Sequence, residues 1–233
     1  MSFKKYRLID LSIIIVIGII TECLGTFLSI KALPLYKYSP YAVVALGLIC
    51  LAVTRYGFYG AITIPFLALA NSFTTYLFMK NIAHADFTNS YYVARSIGCL
   101  LSLTSPLILL AFYKKKTNDF LTGWDRVAGI SLVTAALFVV IIYISIIVNS
   151  LVYSYSLDES VFQFGFWYSL QQAAVGILFM MVTNVALFLS GSFRNSYESI
   201  LAQRVEEEAE KEYYNTLKQE TDDQEEDHQA KGL

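Results

Sequence analysis

The residues most able to do chemistry are polar side chains that interrupt apolar stretches of the sequence. They include a carboxylate, Glu22, an amide, Asn71, and a guanidinium, Arg95. A charged side chain in the hydrocarbon of a bilayer costs on the order of 3 kcal/mol or more, so it is usually paired or faces a polar cavity. These residues therefore either bind a polar ligand or hold neighbouring helices together.

Strong hydrogen-bonding residues recur at a similar depth in successive apolar stretches, in the half that we place toward the outside. Unsatisfied polar groups in hydrocarbon are costly, so these side chains should face one another or a shared water-filled cavity. We predict a substrate pocket in the outer half; the alternative is a set of unrelated hydrogen bonds between helices. The predicted substrate-binding residues are Glu22, Asn71, Arg95, Asn149, Trp167 and Gln171.

Motifs for catalysis and for metal binding do not occur in the sequence. It holds two histidines, His84 and His228, and no H-E-x-x-H, G-x-S-x-G or Walker A motif. The three cysteines, Cys23, Cys50 and Cys99, lie in apolar stretches and are predicted to be packing residues without disulfides. We therefore expect no catalytic residue, no metal site, no cofactor and no intrinsic ATP hydrolysis.

The composition places these residues in an integral membrane protein. Hydrophobic residues make up 56% and charged residues 15% of the chain, with a mean hydropathy of +0.51, whereas soluble domains carry about 25% charge. About 20 residues of helix cross the hydrocarbon core. We predict an all-α fold, a bundle of six transmembrane helices. The expected spans are approximately 8–30, 39–54, 57–79, 91–113, 127–153 and 162–191.

Domain organisation follows from the same pattern. Residues 1–191 form the predicted transmembrane domain, 192–218 a cytosolic helical extension, and 219–233 an acidic disordered tail. The tail either frays into solvent or docks a partner. Two prolines inside predicted spans, Pro65 and Pro106, are expected to kink their helices.

Orientation follows from lysine and arginine, which favour cytoplasmic segments. Basic residues are concentrated before the first span, after the second, after the fourth and after the sixth. We predict a multi-pass protein of the cell membrane with both termini in the cytoplasm. The basic residues on the predicted cytoplasmic side are Lys4, Lys5, Arg7, Arg55, Lys114, Lys115, Lys116, Arg126 and Arg194.

Small residues repeat at four-residue spacing on the first span, at Thr21, Gly25 and Ser29. Such a face lets another helix approach closely, because no large side chain stands between the two backbones. We predict that these three residues form the surface on which a partner helix docks.

Two segments carry a resemblance to a known family. They are YRLIDLSI, which opens the first span, and TRYGFYGAITIPFLALANS, which covers the turn at Arg55, Tyr56 and Gly57, then Gly60. With the predicted six spans and outer pocket, the chain resembles substrate-binding S components of energy-coupling factor (ECF) transporters of Gram-positive bacteria. Many S components carry Ala-x-x-x-Ala on the first helix; this span has no alanine, and Thr21, Gly25 and Ser29 would substitute.

The resemblance implies uptake of a vitamin or other micronutrient. In that family the S component binds its small-molecule substrate from outside and works with a coupling transmembrane subunit and two cytosolic ATPases. ATP turnover then topples it in the bilayer. The partners expected are these subunits and lipid, with no nucleic acid. Two alternatives are a membrane accessory or sensor protein whose tail recruits a partner, and a membrane enzyme acting on lipid-linked substrates.

Overall fold

The computed structural model describes residues 3–32, 40–81, 89–110, 124–152 and 159–190. These residues are almost entirely helical and include no β-strand. The predicted cytosolic extension, 192–218, and the predicted acidic tail, 219–233, lie outside the described residues. An apolar chain favours helices because each helix satisfies its own backbone hydrogen bonds, as hydrocarbon requires.

Six α-helices and two short 3₁₀ segments follow one another along the described chain, and Leu109 and Leu110 are also helical. Helix α2 contacts α1, α3 and α6, and nine of its 12 residues are buried. It is therefore a central element, around which the longer helices pack. The α-helices are α1 (Phe3–Ala32), α2 (Ala45–Tyr56), α3 (Thr63–Asn81), α4 (Asn89–Ser102), α5 (Trp124–Val152) and α6 (Glu159–Leu189); the 3₁₀ segments are Gly57–Ile62 and Ser105–Ile108.

Four helical segments of the described chain are long and apolar enough to cross a membrane. The protein is thus an all-helical protein of membrane-spanning character. Helices α2 and α4 have 12 and 14 residues, or about 18 and 21 Å, against a hydrocarbon core of about 30 Å. The count of six spans stays a prediction. The four segments are Lys5–Ser29, Ala45–Asn81, Trp124–Leu151 and Gly165–Leu189.

Large apolar side chains cover the outside of the helices as well as filling the core. Val16, Leu24 and Leu132 are more than half exposed, whereas Phe138 and Met180 are fully buried. A soluble protein rarely exposes apolar surface on this scale. Lipid contact explains it.

The link between α2 and α3 depends on two glycines. Gly57 has φ 57°, in the left-handed region that favours glycine. At Gly60 a Cβ would stand 2.4 Å from the carbonyl carbon and oxygen of Ala52, so only glycine lets the backbones meet. The YGFYG sequence thus makes the turn that follows α2.

Neither proline lies within the interior of an α-helix. Pro65 is the third residue of α3, in the first turn, where a missing N–H breaks no helical bond. Pro106 lies in a 3₁₀ segment that begins after α4 has ended. Pro106 therefore lies between the end of α4 at Ser102 and the helical residues Leu109 and Leu110, whereas Pro65 stands near the start of α3. The kinks at these positions stay predictions.

Candidate functional site

The candidate site is built around residues 40–44, called here the 40–44 segment, which precede α2 without being helical. Ala42 is fully buried and Pro40 and Tyr41 are also buried. Non-helical backbone in a membrane bundle must be satisfied by other parts of the protein. Side chains and backbone groups from α1, α3, α4 and α6 do this.

Glu22 of α1 caps the N-terminus of α2. Val44 holds the N-cap position and has no side-chain oxygen to offer. Glu22 Oε1 instead accepts a hydrogen bond from the Val43 amide at 2.9 Å, and Oε2 accepts from the Val44 and Ala45 amides at 2.7 Å each. All three partners are donors at the positive end of a helix, which is the environment that stabilises a carboxylate.

Asn71 of α3 completes this cap. Its Nδ2 donates to Glu22 Oε1 at 2.8 Å and lies 3.2 Å from both Thr26 Oγ1 and Pro40 O. Glu22, Thr26 and Asn71 are all fully buried. Asn71 thereby joins α1, α3 and the 40–44 segment in one hydrogen-bonded network.

Helix α4 holds the first residues of the segment. Arg95 is buried; its Nη2 donates to Pro40 O at 3.2 Å, and its guanidinium lies 4.6 Å from the centre of the Tyr41 ring. This stacking is a cation–π contact, which favours one orientation of the guanidinium. One turn later, Cys99 Sγ donates to Tyr41 O at 3.1 Å.

Helix α6 lies against the same segment. The Tyr41 amide donates to the Gln172 carbonyl at 3.3 Å. A Cβ at Gly176 would be 2.9 Å from Ala42 O, so glycine is what allows the two backbones to approach so closely. Four helices thus contact a stretch of only five residues.

The opposite end of α2 is also fastened to α1. Asp10 forms a 2.9 Å ion pair with Arg55 and accepts a hydrogen bond from the Tyr56 hydroxyl. Asp10 and Glu22 are 12 residues apart on α1, about 18 Å, which equals the length of α2. One helix therefore supplies a carboxylate to each end of its shorter neighbour.

A small cavity of about 100 Å³, with several polar residues among its lining, lies beside Arg95. Asn149 and Ser150 of α5 and Tyr168 of α6 line it together with that guanidinium. At ~30 Å³ per water, it has room for about three waters or a group of similar size. Its donors can bind a small polar or anionic group. The lining residues are Tyr41, Tyr91, Arg95, Ile146, Asn149, Ser150 and Tyr168.

A second, larger cavity of about 640 Å³ is a mainly apolar groove between α3 and α4. Leu69 and Phe73 line it from α3, and Val93 and Ile97 from α4. None of the predicted substrate-binding residues lines this groove. Its position on the apolar outer surface fits contact with lipid.

The structure brings together some of the predicted site residues and separates others. Glu22, Asn71 and Arg95 meet at the 40–44 segment, and Arg95 shares the small cavity with Asn149. Gln171 and Trp167 are instead exposed, Trp167 by 61%, so the predicted convergence of Gln171 with the buried cluster does not occur.

Some residues of the site were missed by the sequence analysis. Gln172 is 2% exposed, and its backbone carbonyl accepts a hydrogen bond from the Tyr41 amide, whereas the sequence analysis predicts the neighbouring Gln171. Pro40 and Asp10 were also missed. The shortness of the predicted second span, 39–54, was a signal that part of it is not helical.

The predicted docking residues of α1 lie mainly against the chain itself. The Thr21 hydroxyl donates to Ile17 O of its own helix at 2.8 Å, and Ser29 is buried. A Cβ at Gly25 would be 2.7 Å from Val43 Cγ1, so Gly25 makes room for the 40–44 segment. Docking of a partner helix at this face stays a prediction.

Comparisons with known proteins found no match to this chain. No protein-family model matches this sequence, and neither a curated protein nor a solved structure matches the chain. Within the described part of the chain, no three His, Cys, Asp or Glu side chains lie close enough together to hold a metal ion.

Proposed function

We propose that this protein is a membrane substrate-binding subunit for uptake of a vitamin or other micronutrient. It has no catalytic role of its own and works with a coupling transmembrane subunit and two cytosolic ATPases. The observation that carries the proposal is the small cavity that Arg95 and Asn149 line between the helices. The resemblance to ECF S components supplies the partners and the toppling step.

The non-helical segment that precedes α2 supports a binding role. Transporters commonly bind substrate where a helix ends inside the membrane, because the backbone groups and helix ends there can contact polar ligands. Here the 40–44 segment adjoins the cavity, since Tyr41 belongs to both. In the proposed orientation, six spans place both termini in the cytoplasm and the cavity in the outer half, toward the substrate.

The decisive experiment is to identify small molecules retained by the full chain after purification in detergent, by mass spectrometry. We expect a retained micronutrient whose amount falls in Arg95→Gln and Asn149→Ala. The matched control for the first is Arg55→Gln, since Arg55 pairs with Asp10 away from the cavity. The coupling subunit and ATPases should copurify under mild solubilisation. Absence of both the small molecule and these subunits contradicts the proposal.

A second candidate is a membrane accessory or sensor protein whose cytosolic tail recruits a partner. It is favoured by the commitment of Glu22 and Asn71 to internal hydrogen bonds, as expected of polar groups that only hold a bundle together. In that case removal of residues 219–233 should abolish partner capture, while Arg95→Gln should leave it unchanged. If the protein is instead an uptake subunit, Arg95→Gln should reduce substrate retention, and removal of residues 219–233 should leave it unchanged.

A further inference from the structure

We infer that the small cavity binds a carboxylate group through Arg95 and Asn149. The substrate would then carry a carboxylate at one end, and this statement about the substrate rests on the proposed function. Among the seven lining residues, all within the described chain, Arg95 alone carries a formal charge and none is acidic. The charge on the cavity wall thus favours an anion over an ammonium group, while the nearby carboxylate of Glu22 is bound by the amides of Val43, Val44 and Ala45.

The hydrogen-bonding chemistry of the lining matches a carboxylate. A guanidinium has five N–H donors in a planar fork, so a group that donates to Pro40 O can also bind a carboxylate oxygen. The Asn149 amide adds N–H donors from the neighbouring helix α5. Both groups are held by helices, and the Tyr41 ring stacks on the guanidinium, so the donors are positioned in advance.

The volume of the cavity and the residues around it further limit the size and chemistry of the group that can bind. About 100 Å³ accommodates a carboxylate with a short carbon chain, which is smaller than a whole vitamin. Arg95 itself is buried, which strengthens its attraction for an anion, since charges interact more strongly where little water is present. Tyr91 and Tyr168, which also line the cavity, carry aromatic rings that can contact the carbon atoms next to the carboxylate.

The test compares radiolabelled propionate with propionamide, a neutral molecule of nearly the same shape, by equilibrium dialysis against the purified full chain. We expect the wild type to prefer propionate. Arg95→Gln should weaken propionate binding by roughly tenfold or more and remove the preference, because a charge-assisted hydrogen bond is lost. Asn149→Ala should weaken propionate binding to a smaller extent.

Two matched control variants distinguish a loss of binding at the cavity from a general effect of removing a guanidinium or an amide. Arg55→Gln removes a guanidinium at the other end of α2, and Asn184→Ala removes a buried amide that donates to Ser131 at 2.8 Å. Both should bind propionate as the wild type does. If Arg95→Gln does not fold, judged by its melting curve, Asn149→Ala against Asn184→Ala decides the question.

Three results would overturn the inference: no propionate binding by the wild type, equal binding of propionate and propionamide, or equal weakening by Arg55→Gln and Arg95→Gln. The outcome is separable from that of the proposed function. Propionate binding without micronutrient retention or partner subunits would refute the uptake role alone. Retention of a micronutrient that has no carboxylate would refute the inference alone.

Discussion

Asn71 donates a hydrogen bond to Glu22, at 2.8 Å between Nδ2 and Oε1, where both side chains are fully buried. The pair joins α1 to α3, and the same carboxylate accepts the first amides of α2. A charge inside an apolar stretch is thereby explained by structure, as the cap of a helix that begins within the bundle. For the proposed substrate binding, this leaves Arg95 and Asn149, which line the small cavity, as the candidate residues.

Glu22→Gln should destabilise the protein. In this variant an NH₂ group, which is a donor, replaces one of the two carboxylate oxygens. That NH₂ group would face backbone N–H groups, which need an acceptor. Losing charge-assisted hydrogen bonds at this depth should lower the melting temperature in detergent by roughly 5 to 10 °C. Thr21→Val, one residue earlier, is the control and should change it little. Equal melting of wild type and Glu22→Gln would contradict the capping role.

Glu22 and Asn71 should be energetically coupled. In a double-mutant cycle of Glu22→Gln and Asn71→Ala, the free energies of unfolding should depart from additivity by about 1 to 3 kcal/mol, because the residues contact each other directly. Chemical denaturation in mixed micelles measures this. A cycle of Glu22→Gln with Asn184→Ala is the control, since Asn184 bonds Ser131. Additive effects in the first cycle would show that the hydrogen bond contributes little.

Gly60→Ala and Gly129→Ala should differ sharply in stability. The new Cβ at residue 60 would meet the backbone of Ala52 at 2.4 Å, whereas the one at residue 129 would have nothing within 4 Å. We expect little folded protein from Gly60→Ala. Gly129→Ala should be unchanged or more stable by up to about 1 kcal/mol, because alanine favours a helix. Fluorescence-detected size-exclusion chromatography and melting curves compare them; similar profiles would contradict the packing at Ala52.

The topology predicts which residues a membrane-impermeant maleimide reaches in intact cells. Ala85→Cys, in the predicted outer loop 80–90, should be labelled, and Lys115→Cys should be protected until the cells are opened, because basic segments stay inside. The wild type, with Cys23, Cys50 and Cys99, gives the background. Labelling of Lys115→Cys alone would reverse the orientation.

The sequence by itself determined that the protein is helical with membrane-spanning character, and it identified three polar residues that the structure buries. Its long continuous apolar stretches predict helices, since a helix satisfies its own backbone hydrogen bonds in hydrocarbon. The cost of placing charged or polar groups in hydrocarbon singled out Glu22, Asn71 and Arg95, and all three are buried. These inferences did not require the contacts of each residue, because a polar side chain is costly in lipid and in the protein core alike.

Only the tertiary structure decided what each polar residue contacts. The sequence did not reveal that Glu22 caps α2, because the partners are backbone amides 21 to 23 positions away. It also favoured Gln171 over the buried Gln172, one residue and 100° further around the helix. In a soluble helix an apolar stripe marks the inner face, whereas in a membrane helix both faces are apolar. The inner face is therefore set by packing between helices, which only the fold supplies.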